Sequence, residues 1–232
     1  MVGLVLAVSM VTANAQTNTP PSAQTGTSEY TFLVASGFLC ISGNAGVCPA
    51  VARSANGDAF EVSGAGMFNG RDKSARAFGV FNHRSANGDL VETGVWSADR
   101  LVSFESYGVA PAAMAQWGAA VGRPQFGPRR PGRSGRMPSG GFAVFHIVLM
   151  PVSGATKTAE LRVNCALGIV PQERSVEGIG ITIDKENIDY AEEAGGRVIF
   201  LLPAHEARIP ARNGDGKAGS DASGESQSNA SE

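Results

Sequence analysis

The chain has 232 residues, 43% of them hydrophobic and 17% charged, with 30 Gly and 12 Pro; 19 basic against 21 acidic residues leave a net charge of -2. That composition is globular, and the length predicts one domain or at most two. The near-neutral balance excludes a surface built throughout for nucleic acid or anionic lipid, three Cys are too few for a disulfide-built scaffold, and beyond the N-terminus no apolar run reaches the roughly 18 to 20 residues of a membrane-spanning helix.

Val2 to Val11 is an apolar run, and Ala13-Asn14-Ala15 places small residues where a signal peptidase reads them, which predicts a signal peptide over 1–15 with cleavage before Gln16. Only Met1 precedes the run, and Met1, Val2 and Gly3 carry no positive charge, a pattern consistent with a true start further upstream. Residues 16–29 are rich in Thr, Ser, Pro, Gln and Ala and read as a flexible linker. From residue 30 to 203 short apolar or alternating runs, rich in Val, Ile, Phe and Gly, are separated by turn residues, and no segment keeps a 3.6-residue apolar period. This is an all-β signature.

Strands are predicted at Tyr30 to Cys40, Ala59 to Phe68, Ala75 to His83, Leu90 to Ser97, Leu101 to Tyr107, Phe142 to Met150, Ala159 to Leu167, Gly178 to Ile183 and Arg197 to Leu202. Phe60, Val62 and Phe68 fall on one face of their strand, as do Leu161, Val163, Cys165 and Leu167 of theirs, and such alternation sets one face on a core. Ala112 to Ala120 reads as a short helix and Glu186 to Ala194 as a further helical turn or two. Residues 118–141 form an Arg-, Gly- and Pro-rich loop, and 204–232 is a polar tail whose composition predicts disorder. The expected architecture is a single antiparallel domain of eight or nine strands, a sandwich or a small barrel with disordered N- and C-terminal tails.

One six-residue motif occurs twice: Arg53-Ser-Ala-Asn-Gly-Asp58 recurs as Arg84-Ser-Ala-Asn-Gly-Asp89, with Glu61 and Glu92 three residues further on. Asn-Gly favours a type I′ turn, so each copy is expected to close a β-hairpin. The alternative is a pair of matching Ca²⁺ or sugar sites on Asn56, Asp58 and Glu61 and on Asn87, Asp89 and Glu92, although the acids are sparser than in a dedicated calcium loop.

The run Cys40 to Cys48-Pro49-Ala50-Val51-Ala52, the Asn56-Gly57-Asp58 turn with Glu61, Gly64 and Gly66, Gly94-Val95-Trp96, Ser103-Phe104, the Leu-x-Val-x-Cys strand at Cys165, and Glu177-Gly178-Ile179 together resemble a family of uncharacterised secreted bacterial proteins. The resemblance covers most of residues 38 to 183. It implies export and an all-β domain, and brings no activity, cofactor or catalytic residue with it. The Arg-Pro-Gly insert and the long polar tail depart from the family pattern.

Seven residues, among them Gly43, Asn44 and Gly46, separate Cys40 from Cys48, enough slack for the pair to approach the roughly 4.4 to 6.8 Å between Cα atoms that a disulfide needs, and export would oxidise them. Cys165 is expected as a buried inert thiol; a nucleophile would need a depressed pKa and a nearby base. His146 shares an alternating face with Phe142, Val144 and Val148. If the chain is catalytic, His146 with Glu61, Glu92 or Glu105 is the expected pairing. If it is a small barrel holding an apolar ligand, His146, Trp96 and Phe145 are expected to line or flank the cavity.

Arg123, Arg129, Arg130, Arg133 and Arg136 lie where no acid occurs between Glu105 and Glu160, a local positive field that could hold an anionic polymer or surface. The motifs of metal, phosphate and dinucleotide sites are missing from the sequence, so no cofactor is expected. Three functions remain: a non-catalytic exported binding or envelope-associated β-domain, which the regular strands favour; a small barrel with an apolar ligand; and a hydrolase or isomerase using His146 and a carboxylate.

Overall fold

In the computed structural model the described residues are 29–41, 46–110, 112–113, 135–184 and 188–203. They form eleven strands: β1 (Glu29–Val34), β2 (Ala50–Arg53), β3 (Ala59–Asn69), β4 (Ser74–Arg84), β5 (Leu90–Val109), β6 (Arg136–Pro151), β7 (Lys157–Cys165), β8 (Gly178–Ile183), β9 (Ile188–Tyr190), β10 (Glu192–Gly195) and β11 (Val198–Pro203). Every strand pairing is antiparallel. The expected signal peptide over 1–15, the expected linker up to residue 28 and the expected tail over 204–232 lie outside the described residues, and Glu29, the last residue of the expected linker, begins β1.

The pairings β1–β3, β3–β4, β4–β5, β5–β6, β6–β11 and β11–β1 return to their starting point, so six strands close a barrel. Closure leaves these strands without a free edge. Two long strands carry the rest of the sheet, because each changes partner part-way along one side. β3 pairs with β2 through Ala59–Val62 and with β1 through Gly64–Asn69. β6 pairs with β11 through Arg136–Ser139 and with β7 through Gly141–Leu149. The branches β2–β10 and β7–β8–β9 face one another, β8 lying against β2 and β10.

Alternation fills the interior. Phe60, Val62 and Phe68 point inward from β3, and Leu161, Val163 and Cys165 from β7, with Leu167 packed against the same core. Phe32 stacks on Phe145 with centroids 4.6 Å apart, and Phe68 meets Phe200 edge-on at 5.7 Å. Phe60 stacks on Phe81 at 5.2 Å and tilts against Tyr190 at 5.3 Å. These are the offset and edge geometries that aromatic quadrupoles favour. Trp96 lies across the cross-strand pair Gly64 and Gly79, where a Cβ on either glycine would collide with its indole, and its Nε1 donates to the Ser63 carbonyl at 3.2 Å.

Several expectations need correction. The first strand stops at Val34, where Ala35 takes φ 38°, and the chain continues into a 3-10 turn, Gly37–Cys40, that lays Leu39 and Phe38 over Ile199 and Leu201 outside β1 and β11. Leu90 to Ser97 and Leu101 to Tyr107 are one strand of 20 residues, its register slipping at Ala98/Arg100, Leu101/Ser103 and Ser106/Gly108; bulges absorb the polar Asp99-Arg100 step without ending the ladder. Within the expected helical turn Glu186 to Ala194, Ile188–Tyr190 and Glu192–Gly195 are strands. The expected loop 118–141 loses its last six residues to β6, which begins at Arg136. Ala112 and Ala113 are helical, and 114–120 lie outside the described residues. β2, four residues long, offers too little alternation to be recognised in the sequence.

Both copies of the repeat close hairpins, β2–β3 and β4–β5, but not with type I′ turns. Ser54 N bonds Asp58 O and Gly57 N bonds Ser54 O, and the same pair of bonds recurs at Ser85, Gly88 and Asp89. Only the glycines take positive φ, 90° at Gly57 and 89° at Gly88, while Asn56 and Asn87 do not. This is the three-residue hairpin with glycine in the left-handed position.

Candidate binding face

Three of the repeat acids, Asp58, Glu61 and Glu92, are engaged within the fold, while Asp89 is exposed. Asp58 Oδ1 accepts from Ala86 N at 2.8 Å and Oδ2 from Asn56 Nδ2 at 3.1 Å, tying the first hairpin to the second. His83 Nε2 lies 3.6 Å from Asp58 Oδ2 and 3.0 Å from the Tyr190 hydroxyl. Glu61 accepts from Arg84 Nε at 2.7 Å and Asn82 Nδ2 at 3.0 Å, and Glu92 from Lys157 Nζ at 3.0 Å. Among the described residues no group of three His, Cys, Asp or Glu side chains is placed to hold a metal.

His146 does not meet Glu61, Glu92 or Glu105. Its Nδ1 is 2.8 Å from Asp99 Oδ1, a residue in the β5 bulge, and Glu105 lies 3.5 Å from Arg174 Nη1. Phe145 and His146 are consecutive on β6 and therefore point to opposite faces: Phe145 is fully buried, His146 lies outside. Trp96 and Phe145 share the core, and the three residues do not line one cavity. Arg129, Arg130 and Arg133 lie outside the described residues; Arg136 donates to Thr31 Oγ1. Cys40 and Cys48 are bonded, with Cα atoms 5.7 Å apart, which anchors the 3-10 turn to the chain entering β2. Cys165 is buried, its Sγ donating to the Ser139 carbonyl at 3.6 Å, and desolvation holds its thiol protonated.

What the sequence reading missed is the outside of the barrel. On β4 the inward positions are Ala75, Ala77, Gly79 and Phe81, while Phe78 and Val80 point outward, 76% and 55% exposed. Val80 sits opposite Val95 of β5, and Val95 opposite Met150 of β6, both exposed; Met67 of β3 is exposed beside them. An outer sheet face normally carries polar residues opposite its apolar inner ones. Here four adjacent strands present a contiguous apolar surface on the convex side, and such surfaces mark interaction sites.

The two ends of this face differ. At one end Arg84, Glu61, Asn82 and Thr93 form a continuous chain of hydrogen bonds, Thr93 Oγ1 donating to Asn82 Oδ1 at 2.8 Å. At the other end stands Arg76, exposed, two residues from Phe78 and opposite Met67. Between them a shallow depression is lined by Thr31, Ala65, Met67, Arg76 and Phe78, and its floor, Gly66, Ala77 and Ala98 in successive strands, carries nothing larger than a methyl group.

The chain matches no family model, no curated protein and no solved structure. The site therefore rests on its own geometry. No helix among the described residues is long and apolar enough to cross a membrane.

Proposed function

We propose that the chain is an exported, non-catalytic β-domain that works by binding, through the outer face of β3 to β6, a component of the cell envelope or its surroundings. The observation that carries this reading is Phe78, 76% exposed at the centre of a closed sheet whose interior is already filled by aromatic side chains. The apolar run ending in Ala13-Asn14-Ala15, the Cys40–Cys48 disulfide and the resemblance to secreted bacterial proteins support export. The His146–Asp99 pair stands on an outer strand face, and Cys165 is held protonated in the core, an arrangement that favours binding over turnover. The Arg-rich segment that enters β6, with Arg123, Arg129, Arg130 and Arg133, adds a proposed contact for an anionic polymer.

The test is fractionation of cells that export the protein. The mature chain should begin at Gln16 and partition with the envelope, and Phe78→Ser should release it without unfolding it. An unchanged partition in Phe78→Ser would overturn the reading of the face.

A further inference from the structure

The depression on this face has charge at one end only. Arg76 is exposed there and makes no ion pair among the described residues, and the Arg136 guanidinium lies just beyond, bonded to Thr31 in the depression wall. At the far end of the face the Glu61–Arg84 pair is already closed on itself. We propose that the groove binds one alkyl chain ending in a carboxylate, a long-chain fatty acid, with the carboxylate on the Arg76 guanidinium and the chain laid over Ala65 between Met67 and Phe78 toward Val80 and Val95.

Three features select this ligand. Charge complementarity asks for a single anion at the Arg76 end, and a guanidinium fork matches a carboxylate in two parallel hydrogen bonds. The backbone beneath is committed to its own ladder, β3 with β4 and β4 with β5, so a peptide laid on the face would leave its own N–H and C=O groups unpaired where an alkyl chain has none to satisfy. The face is four strands wide, about 15 Å at the roughly 4.8 Å spacing of strands, and about 20 Å long from Arg76 to Asn82 at roughly 3.3 Å per residue, on the order of 300 Å² against the ~800 Å² per partner of a stable protein interface. The depression is shallow and open to solvent, its volume about 520 Å³, which suits a chain lying along the surface rather than a ligand enclosed by it.

The inference rests on the reading of this face as the binding surface, and titration calorimetry of the mature full chain with laurate, below its micelle concentration, separates the two. Laurate should bind saturably at one site. Arg76→Gln should weaken it about tenfold, the effect of losing a charged hydrogen bond, and Phe78→Ser by at least as much, with both variants melting close to the parent. Dodecanol, with the same tail and no charge, should bind about tenfold more weakly than laurate and be indifferent to Arg76→Gln. No saturable binding, equal affinity in Arg76→Gln, or equal binding of dodecylamine would overturn the proposal. If laurate fails while Phe78→Ser still releases the protein from the envelope, the fatty-acid assignment falls and the face stands; if neither responds, both fall.

Discussion

Replacing Gly79 by Ala tests the packing that turns β4 inside out. A Cβ at Gly79 would sit against the Ser63 carbonyl oxygen and 2.6 Å from Trp96 Nε1, and neither neighbour is free to move: the oxygen belongs to the β3–β4 pairing and the indole is bonded to that same carbonyl. Overpacking a core costs about 1–3 kcal/mol, and a clash with ladder backbone belongs at the upper end, about 3 kcal/mol. Gly88→Ala is the control. It has open space around its Cβ and only the left-handed φ of 89° to oppose it, a cost of about 1–2 kcal/mol. Thermal unfolding followed by far-ultraviolet circular dichroism, with the disulfide intact, should show Gly79→Ala melting about 6–12 °C below the parent, at ~2–4 °C per kcal/mol for a domain of this size, and Gly88→Ala falling by clearly less. A Gly79→Ala variant no less stable than Gly88→Ala would refute the close approach of β3, β4 and Trp96.

Two further outcomes follow from buried ionisable groups. Cys165 should resist thiol reagents in the native protein and react stoichiometrically once urea unfolds it, while Cys40 and Cys48 stay unreactive until reduced; rapid native labelling would contradict the buried placement. Partial burial raises the Glu193 carboxyl to about 6, against the opposing pull of Arg162 and Arg174. The folded state thus holds the proton more tightly than the unfolded chain, so this group's contribution to stability is complete below its ordinary value of 4.5 and is lost as pH rises through about 6. Glu193→Gln should therefore melt higher than the parent at about pH 7.5 and equal it near pH 4; a lower melting point at pH 7.5 would show that pairing with the arginines outweighs desolvation.

The fold class was legible where alternation is strong. Leu161, Val163 and Cys165 keep period two without interruption, and Phe60, Val62 and Phe68 keep it on β3 across the inward glycines Gly64 and Gly66, while the Ser-Ala-Asn-Gly turns announce their hairpins whichever backbone type they adopt. The binding face was not legible because on β4 the pattern runs against size. Ala75, Ala77 and Gly79 face the core, Gly79 because the Trp96 indole of β5 takes the space above it, leaving Phe78 and Val80 outside, and a reader ranking residues by hydrophobicity alone would bury the wrong side. His146 and Asp99 are 47 residues apart, and the bulge that brings them together has no local signature. Glu186 to Ala194 reads as helix because Glu and Ala are good helix formers, yet pairing with β8 and β2 overrides the propensity.

The most direct measurement of the central claim compares Phe78→Ser with Phe81→Ser, scoring the melting temperature and the envelope-bound fraction together. Three residues apart on one strand, the two side chains point to opposite faces, Phe78 into solvent and Phe81 into the core. Truncating a buried Phe costs about 3–5 kcal/mol, so Phe81→Ser should lower the melting temperature by on the order of 10 °C. Phe78→Ser should melt with the parent and lose the bound fraction. A Phe78→Ser protein that stays bound, or that melts as low as Phe81→Ser, would contradict the account.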